Sequence, residues 1–427
     1  MSTDTNSLTR LVDSRLGLVT AIDEPARHPS LPDALSIASA RLAGLPPGAA
    51  SPGGAAWWSR TTARTAALGE AVERYAATHR VIIRRASADE LTAEGVAHLD
   101  PVALAPHSAG QYAAPGFPFT APDRGRTISW CRAVDVQGAE VLVPASRVGL
   151  EIIGGEPIPH LPINAGIAAG SDLARAGAAA LEEALERHAV ATSWIGGLSW
   201  PRLPVPDWLL AVLGGRAACY DIAVHAVPDP FGLPVTAVLL TQKDGPVLGM
   251  GTALRPRRAD AIAKAAAEAV VSCQAAHQLD DPETLAAWAG GPLRAWRADR
   301  HYRDSYRADL HDLVDVFCHV QLYLDPRARA DVLDRLASGR PATGWPEAAD
   351  VPDRRVYVER VVAAGHLPYL VDLTTPDLAR VGFAAAASVV PGLRCTAPAA
   401  FPHLGGAWPQ PLSTPESELL PPPLPHA

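Results

Sequence analysis

The chain has 427 residues, 48% of them apolar and 19% charged, and a formal net charge of −8. That length allows a large core and one to three domains, and the composition is that of a globular protein rather than a disordered one. The acidic balance excludes a general nucleic-acid binder, which needs a basic surface. Cys131, Cys219, Cys273, Cys318 and Cys395 are scattered, odd in number and form no C-x-x-C pair, which favours free thiols in a reducing cytoplasm over a disulfide framework or a zinc knuckle. The N-terminus lacks a basic start followed by an apolar core, and no long uncharged apolar stretch occurs, so neither a secretory signal nor a membrane span is expected. The expected location is cytoplasmic.

Residues 1–50, rich in Pro, Ala and Ser, read as a loosely structured lead-in with one short helix near Asp33–Leu42. A helix is predicted from about Thr62 to Arg80, with Leu68, Val72, Tyr75 and His79 on its apolar side at three- and four-residue steps. "TISWCRAVDVQGAEVLVPASRVGL" reads as strand, Gly turn and strand, Thr127–Val136 and Glu140–Val143, ended by Pro144. A Gly-rich turn then leads into a helix from about Asp172 to Trp194. "YDIAVHAV" and "LPVTAVLLTQ" are strands, and a long Ala-rich helix starts near Arg258. Residues 281–336 form a helical Arg/Asp-rich insertion, after which "RVYVERVVAAG", "PYLVDLTT" and "AAASVVPG" bring the chain back to the main unit. A Pro-rich tail covers 416–427. Strands and helices mix along the whole length, so the expected class is α/β (mixed α+β), with one large unit over 51–427.

Two segments nearly repeat each other. "ALGEAVERYA" starts at Ala67 and "ALEEALERHA" at Ala180, an offset too long for a solenoid period. Residues three apart on a helix are about 5–6 Å apart at Cβ, so Glu70 and Glu73 share a face, as do Glu183 and Glu186. Each motif alone reads as a solvated helix face. If the two faces converge, the four carboxylates need cations: two of them about 5.5 Å apart repel by roughly 3 kcal/mol at an effective dielectric of 20. Hard carboxylate oxygens suit Mg²⁺, which recruits phosphate oxygens as further ligands, and Arg74 and Arg187 are placed to contact phosphate or to hold the carboxylates. The only lysines are Lys243 and Lys264, so phosphate contacts are expected mainly from Arg, backbone amides or metal. No P-loop is present, "GMGTAL" at Gly249 lacks the third glycine of a dinucleotide fingerprint, and no H-E-x-x-H, G-x-S-x-G or Cys/His pair stands out. His79 and His188 fall on core faces and read as packing residues.

In order along the chain, "AALGEAVERY", "EVLVPASRV", "NAGIAAG", "LEEALER", "AAAEAV" with Glu268, "VDLTTPD", "SVVPGL" and the closing Pro421, Pro423 and Pro425 resemble the motifs of the YcaO family, from about Gly53 to Pro425. The resemblance implies a YcaO-type fold, mixed sheets packed against helices, with the two acidic helices facing one ATP site. It implies Mg²⁺ held by Glu70, Glu73, Glu183 and Glu186, and ATP contacted by these residues with Arg74, Arg187 and Glu268. The P-x-P-x-P tail (Pro421, Pro423, Pro425) is similar to that of azoline-forming cyclodehydratases of ribosomal peptide biosynthesis, in which it reaches the catalytic site. The implied reaction is ATP-dependent cyclodehydration of Cys, Ser or Thr in a precursor peptide to thiazoline or oxazoline, by phosphorylation of the backbone amide oxygen. The implied partners are the precursor peptide, a ThiF-like protein that binds its leader, and a flavin dehydrogenase acting later; a homodimer is left open. The rival expectations are a non-catalytic YcaO scaffold subunit and a YcaO enzyme that forms thioamides or amidines. The sequence departs from the family pattern at Ala56, where a Lys is usual, at Ala66 and Ala179, where polar residues are usual, at Ala387 in place of an Arg, at His188 in place of an Asp, and at His426 and Ala427, which follow the last proline.

Overall fold

The computed structural model describes residues 9–44, 51–213, 218–287, 291–409, 412, 414–416, 419 and 421–425. Three sheets with antiparallel ladders carry the fold. The first has the order β1-β2-β3, formed by Val19–Asp23, Leu35–Leu42 and Gly53–Trp57. The second runs β4-β5-β12-β13-β7, formed by Arg84–Ala86, Ile128–Val134, Tyr369–Asp372, Ala384–Val389 and Ile167–Gly170, with β6 (Glu140–Pro144) on β5. The third runs β11-β10-β9-β8, formed by Leu248–Ala253, Thr236–Gln242, Tyr220–Ala226 and Arg202–Leu203. The α/β layering is as expected; within it the ladders between named strands are antiparallel rather than mixed.

The lead-in corrects the sequence reading. Leu35–Leu42 is a strand, not a helix. Its alternating small and apolar side chains suit a half-buried pleat, and pairing on both edges, with β1 and β3, outweighs the helix preference of its alanines.

Three long helices each follow directly on a strand: α1 (Arg60–Thr78) on β3, α2 (Leu173–Ile195) on β7, and α3 (Arg258–Asp280) on β11. Ser59 caps α1 by accepting from Thr62 N at 3.1 Å, and Asp172 caps α2 by accepting from Arg175 N at 2.8 Å. Glycines in the strands let the helices lie close. A Cβ on Gly54 would sit 2.2 Å from Ala63 O and from Ala67 N, and one on Gly251 would sit 2.2 Å from Ala265 O. The alanines of α1 and α3 are the other half of this contact: Ala63, Ala67 and Ala71 on one helix, Ala261, Ala265 and Ala269 on the other, all buried. The indole of Trp57, at the end of β3, donates to Ala263 O at 2.8 Å and ties the first unit to the third.

The buried stripe of α1 is Ala63, Ala67, Leu68, Ala71, Val72, Ala76 and Ala77. Tyr75 is only half-buried, and its hydroxyl donates to Asp377 Oδ2 at 2.5 Å. His79 is exposed, not a core residue, with its ring 4.1 Å from that of Tyr75. The insertion is helical only in parts: Pro282–Ala287, then α4 (Val316–Leu322) and α5 (Pro326–Ser338), with loops and a single 3₁₀ turn over Tyr302–Asp304 in the described residues between. α6 (Arg355–Ala363) follows before β12. No described helix is long and apolar enough to cross a membrane.

Candidate nucleotide and metal site

The sequence repeat is a structural repeat. Glu70 Oε2 accepts from Gly53 N at 2.8 Å, and Glu183 Oε2 accepts from Gly166 N at 3.1 Å; each glycine lies 17 positions before its glutamate, at the head of the strand that leads into the helix. Four residues after each of these glutamates comes the arginine: Arg74 Nη2 donates to Glu70 Oε1 at 2.6 Å, and Arg187 Nη2 lies 3.9 Å from Glu183 Oε1. One turn of helix thus presents a carboxylate pinned by a backbone amide and flanked by a guanidinium, twice over.

The two faces converge. Glu73, on α1, reaches across to Ala169 N at 2.9 Å, in the strand that precedes α2. Burial pushes its pKa up to about 8, with Glu183 and Glu70 adding to the rise. Burial likewise pushes Glu183 up to about 7, with Glu186 adding to the rise. Glu186 is fixed deep in the protein, accepting from Thr252 Oγ1 at 2.7 Å and from Leu254 N at 3.0 Å, and so joins α2 to the end of β11. Arg187 is enclosed among these groups: burial lowers its pKa, but Glu186, Glu183 and Glu268 more than offset this.

Lys264 is not singled out by the sequence, from which phosphate contacts are expected mainly from Arg, backbone amides or metal. It stands one turn before Glu268 on α3, and its ammonium donates to Glu268 Oε1. Burial lowers its pKa, but Glu268, with help from Glu186, raises it above the usual value. Its charge also lowers the pKa values of Glu73 and Glu183. A cation therefore sits among the carboxylates, supplied by α3, while Ala56 lies in strand β3, paired with Ser36, and not in a turn. The signal that could have found it is its i,i+4 spacing to Glu268, on the helix whose A-x-x-E-A motif had already been singled out.

Glu182, the residue immediately before the motif glutamate Glu183, was also overlooked. It is 2% exposed and accepts from Arg255 Nη1 at 2.6 Å, Arg354 Nε at 2.8 Å, Arg354 Nη2 at 2.7 Å and Tyr357 Oη at 2.9 Å. It clamps α2 to α6 and to the segment after β11. His188 is a packing residue, as expected: its Nδ1 accepts from Arg394 N at 2.9 Å, and burial, with Arg394 and His366 nearby, pushes its pKa down to about 3.

The proline tail docks at the far end of α2. Trp194 Nε1 donates to Pro422 O at 2.8 Å, the Tyr323 hydroxyl donates to Pro423 O, and His319 Nδ1 donates to Leu424 O at 3.1 Å, its Nε2 accepting from Ala399 N. Pro423 and Pro425 are buried, and Pro421 is half-buried. Trp194 lies eight residues past Glu186, about 12 Å along the helix, and among the described residues no hydrogen bond joins the tail to the acidic cluster. His426 and Ala427 lie outside the described residues.

Among the described residues no three His, Cys, Asp or Glu side chains are gathered tightly enough to enclose a metal ion by themselves. Mg²⁺ is usually bound through one or two carboxylates, with waters and substrate phosphates completing its shell. The donor set fits that pattern. Glu70 and Glu186 have both oxygens engaged by protein groups. In Glu73 and Glu183 a backbone amide takes one oxygen, and burial makes their ionised forms costly without a cation.

A family model described as YcaO cyclodehydratase, ATP- and Mg²⁺-binding, matches residues 58–394. A search of curated protein sequences gives no match. Among solved structures, a heterocyclase in complex with substrate and cofactor aligns with a TM-score of 0.69 at 19% identity, over 92% of this chain and 53% of its own. YcaO from Methanopyrus kandleri, bound with AMPPCP and Mg²⁺, aligns at 0.58 and 18% identity over 88% and 86%. The E. coli microcin synthetase McbBCD complex aligns at 0.55 and 13% identity over 87% and 87%. The chain spans about half the length of two heterocyclases among its matches, 53% and 45%, and at these identities the likeness is one of fold. Taken with the match over residues 58–394, the paired acidic helices and their converging carboxylates place this chain in the YcaO family.

Proposed function

We propose that the chain is an ATP-dependent cyclodehydratase acting on a ribosomally made precursor peptide. The observation that carries this reading is the convergence of Glu73 and Glu183, from the two repeats, on one site. Of Glu70, Glu73, Glu183 and Glu186, Glu73 and Glu183 would hold Mg²⁺, which when bound would neutralise these carboxylates and the nucleotide phosphates. Glu70 and Glu186, with both oxygens engaged by protein groups, would support the site by keeping their helices in register. Arg74, Arg187 and Lys264 hold positive charge where phosphate oxygens would lie, and Glu268 keeps Lys264 in place.

In the reaction a Cys, Ser or Thr side chain of the peptide adds to the preceding carbonyl. The γ-phosphoryl group of ATP passes to the resulting oxygen, giving ADP. Phosphate then leaves as the C=N bond forms, and the peptide is lighter by one water. The tail residues Pro421, Pro423 and Pro425 would form the wall of the peptide channel, since a polyproline segment is extended and pre-ordered. A ThiF-like partner would grip the leader of the precursor, and a flavin dehydrogenase would act on the azoline product.

The test is phosphate release by the chain with its partner and a precursor peptide rich in Cys, Ser and Thr, followed by mass spectrometry. Peptide-dependent release with loss of one water per ring supports the proposal. Replacement of oxygen by sulfur would identify a thioamide-forming enzyme instead. The alanines at 56, 66, 179 and 387 favour a second reading, a subunit that binds nucleotide without turnover. Nucleotide binding with no release on the cognate peptide and partner would establish that reading.

A further inference from the structure

Arg147 ends the short turn that follows β6, at residues 145–147. Its guanidinium makes no hydrogen bond or ion pair with any described residue, and its Nε and Nη1 are closed off from solvent. Two imidazole nitrogens nearby are in the same condition, His107 Nε2 and His160 Nε2. Both rings are buried, at 2% and 4% exposure. His160 Nδ1 donates to Leu161 O at 2.7 Å and His107 Nδ1 to Pro402 O at 3.3 Å, which leaves each Nε2 as an acceptor. Burial, with Arg147 adding to the shift, pushes the two rings down to about 3 and about 4, so they are neutral.

Arg147 and His160 line one cavity of about 50 Å³, several times what a single water position needs. Two carboxylates also line it, and each is engaged elsewhere. Glu156 accepts from Ser129 N and Oγ and faces Arg85, and Asp123 Oδ1 accepts from Gly125 N. The groups whose charge acts on Arg147 are the Cys395 thiol and the Tyr112 hydroxyl, with no carboxylate among them.

A guanidinium whose Nε and Nη1 are closed off from solvent without an acceptor or counterion is a costly arrangement, even with Arg147 as a whole only half-buried. A guanidinium can only donate, so its missing partner is an acceptor, best an oxyanion that matches its planar fork. The two neutral Nε2 atoms require the opposite, a donor. One group offers both: a phosphate that still carries a proton, with its anionic oxygens toward Arg147 and its P–OH toward an imidazole. We propose that the cavity lined by Arg147 and His160, with His107 close by, is a binding site for inorganic phosphate. It lies beside the acidic cluster, because Cys395 is within the field of Arg147 on one side and of Arg187 and Glu183 on the other.

The test uses the full chain without nucleotide or Mg²⁺, with inorganic phosphate and, separately, acetate as probes, read by calorimetry and by thermal midpoint. Wild type is expected to bind phosphate and to melt higher with it. Arg147→Met is expected to lose roughly ten- to hundredfold in phosphate affinity, the effect of removing charge-assisted hydrogen bonds, while melting no lower than wild type without ligand. Should that variant fail to fold, His160→Phe is expected to weaken phosphate binding in the same direction. No phosphate binding by wild type at millimolar concentrations, or unchanged affinity in the variants, would overturn the proposal. So would binding of acetate in preference to phosphate. Mg-ATP binding by Arg147→Met, measured in parallel, is expected to match wild type, so failure here is distinguishable from failure of the nucleotide site.

Discussion

Replacing Glu182 by leucine removes the one carboxylate that pins Arg255, Arg354 and Tyr357 to α2. Breaking a buried ion pair by deleting one partner typically costs about 3–5 kcal/mol. Here the arginine side chains are 27% and 36% exposed and can partly rehydrate, which places their share at the lower end. The Tyr357 hydroxyl is buried and loses its acceptor, a penalty of about 1–3 kcal/mol on its own. These terms overlap, so the expected total is about 3–4 kcal/mol. Urea denaturation measures it: with an m-value of about 3 kcal/mol/M, the midpoint falls by about 1 M. Glu182→Gln keeps an acceptor oxygen and is expected to fall between wild type and Glu182→Leu. A midpoint shift below about 0.3 M for Glu182→Leu, under about 1 kcal/mol, would refute the reasoning, because the cluster would then be a set of solvated contacts and not a clamp.

Other perturbations follow from the same geometry. Gly251→Ala drives a Cβ to within 2.2–2.6 Å of Ala265 O, Ala269 N and Glu268 Cβ; backbone cannot yield there, so a loss of about 3 kcal/mol is expected, with weaker nucleotide binding as α3 and Lys264 shift, both measurable by urea titration and calorimetry. The raised pKa values of Glu73 and Glu183 imply that the metal-free protein is stabilised by their neutral forms below about pH 4.5 and loses that contribution as pH rises through about 7 and about 8. The buried histidines have folded pKa values below their unfolded ones, so their effect is complete by about pH 6.5. Stability in EDTA should therefore fall between pH 6.5 and 8.5, and Glu73→Gln should flatten part of that slope; a flat wild-type profile would contradict it. Truncation after residue 420 removes the partners of Trp194, Tyr323 and His319, and is expected to cost about 3 kcal/mol at about 1 kcal/mol per hydrogen bond and to red-shift tryptophan emission.

How much of this was legible in the sequence depended on where local pattern and tertiary contact agree. The periodicity of α1 and α2 and the Gly-centred hairpin of β5 and β6 are local signals, and the structure keeps them within a few residues. The carboxylate faces could be drawn from spacing alone, but their convergence needs β7 to stand beside α1, a long-range contact that appears in the sequence only as a repeat. "LSIASARL" reads as a helix by composition and is a strand because β1 and β3 claim both its edges. "LGMGTA" was weighed only as a dinucleotide turn. It is β11, and its glycines are there so that α3 can press against it. Lys264 was discounted by counting lysines, yet one half-buried ammonium held among carboxylates matters more than its number suggests. Glu182 was hidden because nothing local distinguishes a clamped glutamate from a solvated one; its partners come from positions 73 to 175 residues away.

The central claim is that the twin glutamate helices form one Mg²⁺–nucleotide site. Calorimetric titration of Mg-ATP into wild type, Glu70→Ala and Glu183→Ala tests it most directly, with circular dichroism to establish that each variant is folded. The account predicts that wild type binds and that each variant, though folded, does not. Wild-type affinity in both variants would contradict it.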